Sequence, residues 1–310
     1  MAFFLQNLVN ALQWGSFYAL IALGYSMVYS ILMLFNFAHG DIFMTGAYIG
    51  FGVATGLMVL ASQWVLVLPG WLILVLTILL SMFLTSFLGM FVERVGYRPL
   101  RDAPRASAAI TGLMIGIIFE TGNLIILGAQ RFSFPPLIES VTYNFGGIYV
   151  TNVKVLIIVA SLVMMLGLHL FIKKTKWGMA MRAMSYDFQA VPLMGVSINT
   201  IARMTFAIGS AMGAVAGILF AINYNSIDPF MGFNAGLKAF TAAVLGGIGN
   251  IYGAMIGGIL LGLFEGIGAG YISSMYRDAF AFGVLILVLI FRPEGLLGEI
   301  GKAKRQDNTR

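Results

Sequence analysis

The sequence contains no cysteine. That excludes disulfides, thiolate metal sites and cysteine nucleophiles. Histidine is almost missing too, and the two present, His39 and His169, lie too far apart in sequence to suggest a metal pair. Charge is scarce: only 10% of the 310 residues are charged, against about 25% in a soluble domain. No soluble domain of useful size fits into what remains. The phosphate-binding pattern Gly-x-x-x-x-Gly-Lys-Ser/Thr does not occur, and no catalytic constellation stands in its place. The chain therefore does not read as an enzyme, and any ATP used is hydrolysed by another chain. No cofactor site is expected. A cleavable signal peptide is not expected either, because the N-terminal stretch lacks a basic leader and its apolar run simply continues. The net charge of +6 is not a nucleic-acid signal, since the basic residues sit between apolar segments.

What is present is 60% hydrophobic residues and 38 glycines. A membrane span needs about 20 apolar residues, so the chain has room for roughly eight. The expected fold is an all-α polytopic membrane protein, a single transmembrane domain over residues 1–310. Apolar segments lie near 8–35, 42–61, within 65–92, and at 106–128, 153–172, 204–224, 239–267 and 279–291. Two helices are expected to be discontinuous, near residues 36–41 and 246–253. The first break is the polar run Asn36-Phe-Ala-His39-Gly-Asp41. The second holds Gly246, Gly247, Gly249 and Asn250, and each glycine costs about 1 kcal/mol inside a helix. In lipid a broken backbone survives only when packed in protein or lining a wet cavity, and transporters handle polar solutes at broken helices. A tight turn between two packed spans is the other reading. Glycines also recur every four residues at Gly46/Gly50, Gly52/Gly56, Gly209/Gly213/Gly217 and, after Ala254, at Gly258, Gly262, Gly266 and Gly270. Small residues at that spacing let membrane helices approach closely.

Orientation follows from the cations. Arg94, Arg98, Arg101 and Arg105 share one loop, and Lys173, Lys174, Lys176, Arg182 and Arg203 share a second. Arg292, Lys302, Lys304, Arg305 and Arg310 form the tail. The positive-inside rule places all three in the cytoplasm. The N-terminus is then outside, and parity requires that the half-span before Gly246 and the segment after Gly253 count as two crossings.

Glu120 and Glu265 lie within apolar segments, where a carboxylate costs about 2.5–3.5 kcal/mol on insertion scales. Each reads as a functional group, as a residue at the interface or as one end of an interhelical hydrogen bond, with Glu265 toward the outer end of its segment. Asp41 beside His39 reads as a proton relay or as a self-satisfied polar turn. Lys238 is expected to snorkel to the interface. Candidates for a solute path are Asn36, His39, Asp41, Glu120, Gly246, Gly247, Gly249, Asn250 and Glu265. The 19 methionines are spread through every span, as adaptable packing would require. The long loop over about 173–203 contains the amphipathic run Trp177-Gly-Met-Ala-Met-Arg-Ala-Met-Ser185, with Asp187 placed to cap a second short helix. Such a helix suits docking of a soluble partner, or rests on anionic lipid.

Three stretches carry a family resemblance: Ala19-Leu-Ile-Ala-Leu-Gly-Tyr-Ser-Met-Val-Tyr29 with Asn36-Phe-Ala-His-Gly-Asp41, then Glu93-Arg-Val-Gly-Tyr-Arg-Pro-Leu100, and the run from Gly236 to Gly258. Together they resemble the permeases of branched-chain amino acid ABC transporters, Liv H type, over nearly the whole chain. The resemblance implies a bacterial cytoplasmic (inner) membrane protein, paired with a second, Liv M-like permease chain. It also implies two cytoplasmic ATPase subunits and an extracytoplasmic binding protein that delivers leucine, isoleucine or valine, and no nucleic acid. The loop from Trp177-Gly178 through Arg182-Ala183 and Asp187 to Gly195 corresponds to the family's ATPase-docking segment. Pro192 departs from the family, which has a helix-compatible residue there. Proline inside a helix costs about 3 kcal/mol, so a shortened or kinked second docking helix is expected. Other readings stay open: a urea or short-amide permease of the same family, an ion-coupled secondary transporter with Glu120, Asp41 and His39 as its relay, or a scaffolding half whose partner supplies the path.

Overall fold

The computed structural model describes residues 2–63, 68–101, 103–188 and 190–298. The tail cations Lys302, Lys304, Arg305 and Arg310 lie outside them. Among the described residues eleven α-helices form the body: α1 (Ala2–Leu32), α2 (His39–Gln63), α3 (Gly70–Val92), α4 (Arg105–Leu127), α5 (Asn152–Lys174), α6 (Lys176–Tyr186), α7 (Ala190–Leu193), α8 (Ile198–Tyr224), α9 (Met231–Gly246), α10 (Ile251–Tyr271) and α11 (Arg277–Phe291). Eight segments of the described residues are long and apolar enough to cross a membrane, as the hydropathy predicts. Helix α9, at 16 residues, is about 24 Å long and falls short of a hydrocarbon core of about 30 Å.

Helices α1 and α8 form the centre, buried along most of their length. The four-residue glycine spacing explains why α10 can lie against α1. A side chain at Gly258 would strike the backbone of Ala19, one at Gly262 would strike Gly15, and one at Gly266 would strike Ala11. The two antiparallel helices thus touch backbone to backbone through facing small residues. Gly46 of α2 meets Ala214 of α8, Gly50 meets Ile218, and Gly217 of α8 meets Phe43. Gly52 and Gly56 have the same spacing and face open space. The outer helices α3, α4 and α5 turn Leu79, Phe83, Ile117, Ile118, Val159 and Val163 outward.

One element was not expected from an all-helical pattern. Thr142–Phe145 (β1) and Ile148–Thr151 (β2) pair antiparallel around Gly146 and Gly147, at φ +60° and +90°. Two consecutive positive-φ glycines make the tight turn that matches strand twist. The hairpin is tied to the start of α1: Tyr149 N donates to Gln6 Oε1 at 2.7 Å, and Gln6 Nε2 donates to the Tyr149 carbonyl at 3.0 Å. The opposite end of the bundle collects the basic loops. There Arg101 pairs with Glu93 at 2.5 Å and donates to Asn199 at 2.6 Å, joining the loop after α3 to the start of α8.

Candidate functional site

The first break begins where α1 ends, at Met33, whose φ of +54° is uncommon for a residue with a side chain. The chain then doubles back. The His39 imidazole occupies the space that a side chain at Gly24 would need. Gly24 lies eight residues before the end of α1, so α2 starts about 12 Å inside the bundle. Asn36 Oδ1 accepts from the Tyr97 hydroxyl at 2.9 Å. The His39 ring meets Tyr25 edge-on at 5.0 Å between centroids, and its Nε2 has no hydrogen-bond partner.

Asp41, in the first turn of α2, is buried between two glycines of other helices. A methyl group on Gly232 of α9 would stand 2.6 Å from Oδ1, and a side chain on Gly116 of α4 would strike Oδ2. Gly236 brings α9 against the α2 backbone: a methyl group there would lie 2.7 Å from the Gly40 Cα. Helices α2 and α9 therefore both begin at this depth, and their chains cross there. Glu120 is one turn beyond Gly116, half-buried, and interacts electrostatically with Asp41. Phe35 and Phe37 close over the crossing against Phe240 of α9, at 5.9 and 5.2 Å.

The second break is separate. Gly247 and Gly249 turn the chain with φ of +107° and +88°. Asn250 caps α10, its Oδ1 accepting from Tyr252 N at 3.0 Å and Gly253 N at 3.1 Å. The segment after α11 binds the turn: Leu296 N donates to Leu245 O at 2.9 Å and Leu297 N to Gly246 O at 3.0 Å. A side chain at Gly246 would overlap the Gly253 backbone. Helices α9 and α10 thus form a tight hairpin in which Gly246 and Gly253 meet backbone to backbone, whereas a side chain at Gly247 would strike Gly298 of the segment after α11 and one at Gly249 would come within 3.4 Å of Tyr29 in α1.

Glu265 lies in the last third of α10 and is fully buried there. Lys238 does not snorkel. Its Nζ lies 2.9 Å from Glu265 Oε1 and 2.6 Å from Asp278 Oδ1. Arg277 Nε stands 3.1 Å from the same Glu265 oxygen, with its guanidinium 4.4 Å from the Trp14 ring centre. The cluster joins α9, α10 and α11; of its members the sequence marks Glu265 as a site candidate and Lys238 only as an interfacial residue. Charges in apolar segments come in complementary sets, so Lys238 and the adjacent Arg277-Asp278 were the available signal.

In the long loop, Thr175 caps α6 by accepting from Gly178 N at 3.0 Å. Arg182 is exposed and donates to the Ile172 carbonyl. Asp187 caps α7, accepting from Ala190 N at 3.0 Å. Helix α7 is four residues long and contains Pro192, as the proline predicts. Trp177, Ala183, Leu193 and Met194 are exposed, whereas Gly178 packs against the backbone of Ile172. Gly195 ends the segment at φ +78°.

The family described as "Branched-chain amino acid transport system / permease component" matches residues 7–289. The chain is 43% identical over 300 residues to the high-affinity branched-chain amino acid transport system permease protein BraD of Pseudomonas aeruginosa, covering 95% of this chain and 96% of that one. It is 39% identical over 301 residues to the corresponding protein LivH of Escherichia coli, covering 96% of each. The xylose transport system permease protein XylH of Haemophilus influenzae is 24% identical over 58% of the chain. No solved structure matches.

Proposed function

This chain belongs to the branched-chain amino acid transport system permease family, and on that premise we propose that it is the membrane-spanning permease subunit of a binding-protein-dependent ABC importer for branched-chain amino acids. The observation that carries the reading is the likeness to BraD and LivH from end to end, at 43% and 39% identity. ATP hydrolysis belongs to two separate cytoplasmic subunits. A second, related permease chain completes the membrane part, and an extracytoplasmic binding protein delivers the solute and sets most of the selectivity. XylH, a xylose permease by name, shares part of the chain, in keeping with a scaffold that does not by itself fix the solute.

The segment 173–203 is the contact for the ATPases. Helix α6 is held to α5 by Gly178 and Arg182, so a push on its exposed face passes into the bundle through α5. The loops at that end and the C-terminus are cytoplasmic, in keeping with their cations. The solute path runs past Asn36, His39, Asp41 and Glu120, and the Gly246–Asn250 turn frames its inner end. The test is uptake of labelled leucine into proteoliposomes that contain the permease pair and its ATPases, with binding protein supplied. ATP-dependent uptake is expected. Gradient-driven uptake by this chain alone, without ATP, would make it a secondary transporter instead.

A further inference from the structure

Helices α2 and α4 meet where Asp41 fills the space beside Gly116. From that point each helix carries polar residues along one face. On α2 these are Asp41, Thr45 and Tyr48, at i, i+4 and i+7. On α4 they are Glu120 and Asn123, at i+4 and i+7 from Gly116. Residues so spaced share a helix face. Tyr48, 6% exposed, packs against Phe132 of the loop after α4, 6.3 Å between rings. The lane therefore leads from the break toward the end of the bundle that holds Asp228 and Arg131, themselves paired at 2.8 Å.

Four buried atoms on these faces have no hydrogen-bond partner: Asp41 Oδ1, Thr45 Oγ1, Tyr48 Oη and Asn123 Nδ2. In hydrocarbon every such group costs several kcal/mol. The carboxylates stand out further. Glu93, Glu265 and Asp278 each have a lysine or arginine partner. Among the described residues Asp41 and Glu120 have none. The first turn of α2 favours an ionised Asp41 through its helix dipole, but a dipole does not fill the open oxygen. Two neighbouring carboxylates without a cation match a ligand that brings one, and a primary ammonium brings three donors as well.

We propose that Asp41 and Glu120 receive the ammonium end of the transported solute, at the inner end of a polar lane lined by Thr45, Tyr48 and Asn123. The assignment rests on the importer reading above and adds which end of a zwitterion goes first. One turn outward, Thr45 and Asn123 supply donors for the carboxylate of the same solute.

The test uses the complete importer in proteoliposomes. Failure of the wild-type complex to take up any amino acid rejects the importer reading. With wild-type uptake established, the double variant Asp41→Asn/Glu120→Gln is expected to lose about 10- to 100-fold in kcat/KM for leucine, the scale of a lost hydrogen bond to a charged group. Wild-type kcat/KM overturns the ammonium site. So does a loss confined to coupled proton entry, with leucine uptake intact. A second measurement does not depend on that variant assembling well. This chain has no cysteine, so Thr45→Cys offers a single thiol in a complex whose other subunits are cysteine-free. A cationic aminoethyl methanethiosulfonate is expected to label it about tenfold faster than the anionic sulfonatoethyl reagent, and leucine is expected to slow it. Equal rates for the two reagents overturn the assignment.

Discussion

Two buried carboxylates in this molecule are treated in opposite ways. Glu265 faces Lys238 at 2.9 Å and Arg277 at 3.1 Å, inside a cluster that Asp278 completes. Asp41 is nearly as buried, yet it has a second carboxylate, Glu120, for company and an oxygen without a partner. The first arrangement is complete within the chain and ties three helices together. The second is complete only when something else arrives. Apolar surroundings make any carboxylate expensive, so burial alone separates nothing. Whether the countercharge is built in distinguishes a fastening from a site.

The largest expected effect breaks this comparison at the level of stability. Glu265→Ala leaves Lys238 with only the more exposed Asp278 and takes the carboxylate from Arg277, and losing one partner of a buried pair costs about 3–5 kcal/mol. Asp41→Asn acts in the other direction. It removes the charged part of an insertion cost of about 2.5 kcal/mol, the amide keeping the rest, and forfeits a dipole interaction of about 1 kcal/mol. The thermal midpoint of the purified complex should fall sharply for the first variant and hold or rise for the second. Equal losses would falsify the distinction. A charge swap sharpens it: Lys238→Glu with Glu265→Lys should recover about 1–3 kcal/mol relative to the sum of the single variants, measured by a double-mutant cycle in the same thermal assay. No coupling in that cycle would mean that the pair does not fasten α9 to α10.

Much of the fold was legible because a membrane forces simple rules. Apolar runs gave the spans, and glycines four residues apart marked close contacts at Gly258, Gly262 and Gly266. The same spacing at Gly52 and Gly56 faces nothing, because periodicity identifies a face without saying what covers it. Thr-Tyr-Asn-Phe-Gly-Gly-Ile-Tyr-Val-Thr carries alternation about a Gly-Gly turn, so the hairpin was readable; the all-helical pattern around it obscured it. At the site, the break at Asn36–Asp41 was legible from its polarity. The fate of Lys238 was not. Its partners are 27 residues away in Glu265 and 40 away in Asp278, on helices whose packing no local signal specifies, and snorkelling assumes a lipid-facing position that α9 does not offer it.

Smaller effects test the walls of the site rather than its charges. Gly232→Ala puts a methyl group 2.6 Å from Asp41 Oδ1, which must push the carboxylate or α9 aside at a cost of about 1–3 kcal/mol. Leucine uptake should fall with it, and a second-site Asp41→Gly should restore stability but not uptake. Restored uptake would show that the carboxylate is dispensable. The smallest expected change concerns the Gly-rich turn. Asn250→Ala removes the cap of α10 and the 2.8 Å bond from Asn250 Nδ2 to the Leu297 carbonyl, for about 1 kcal/mol. Because the turn is held by main-chain bonds to Leu296 and Leu297, the complex that remains folded should transport leucine within about twofold of wild type, a free-energy change under the loss of one cap. Uptake measured per folded complex decides the point. A deep loss of transport at unchanged stability would place the turn among the groups that meet the solute, and the contrast between fastened and open charges would no longer locate the path by itself.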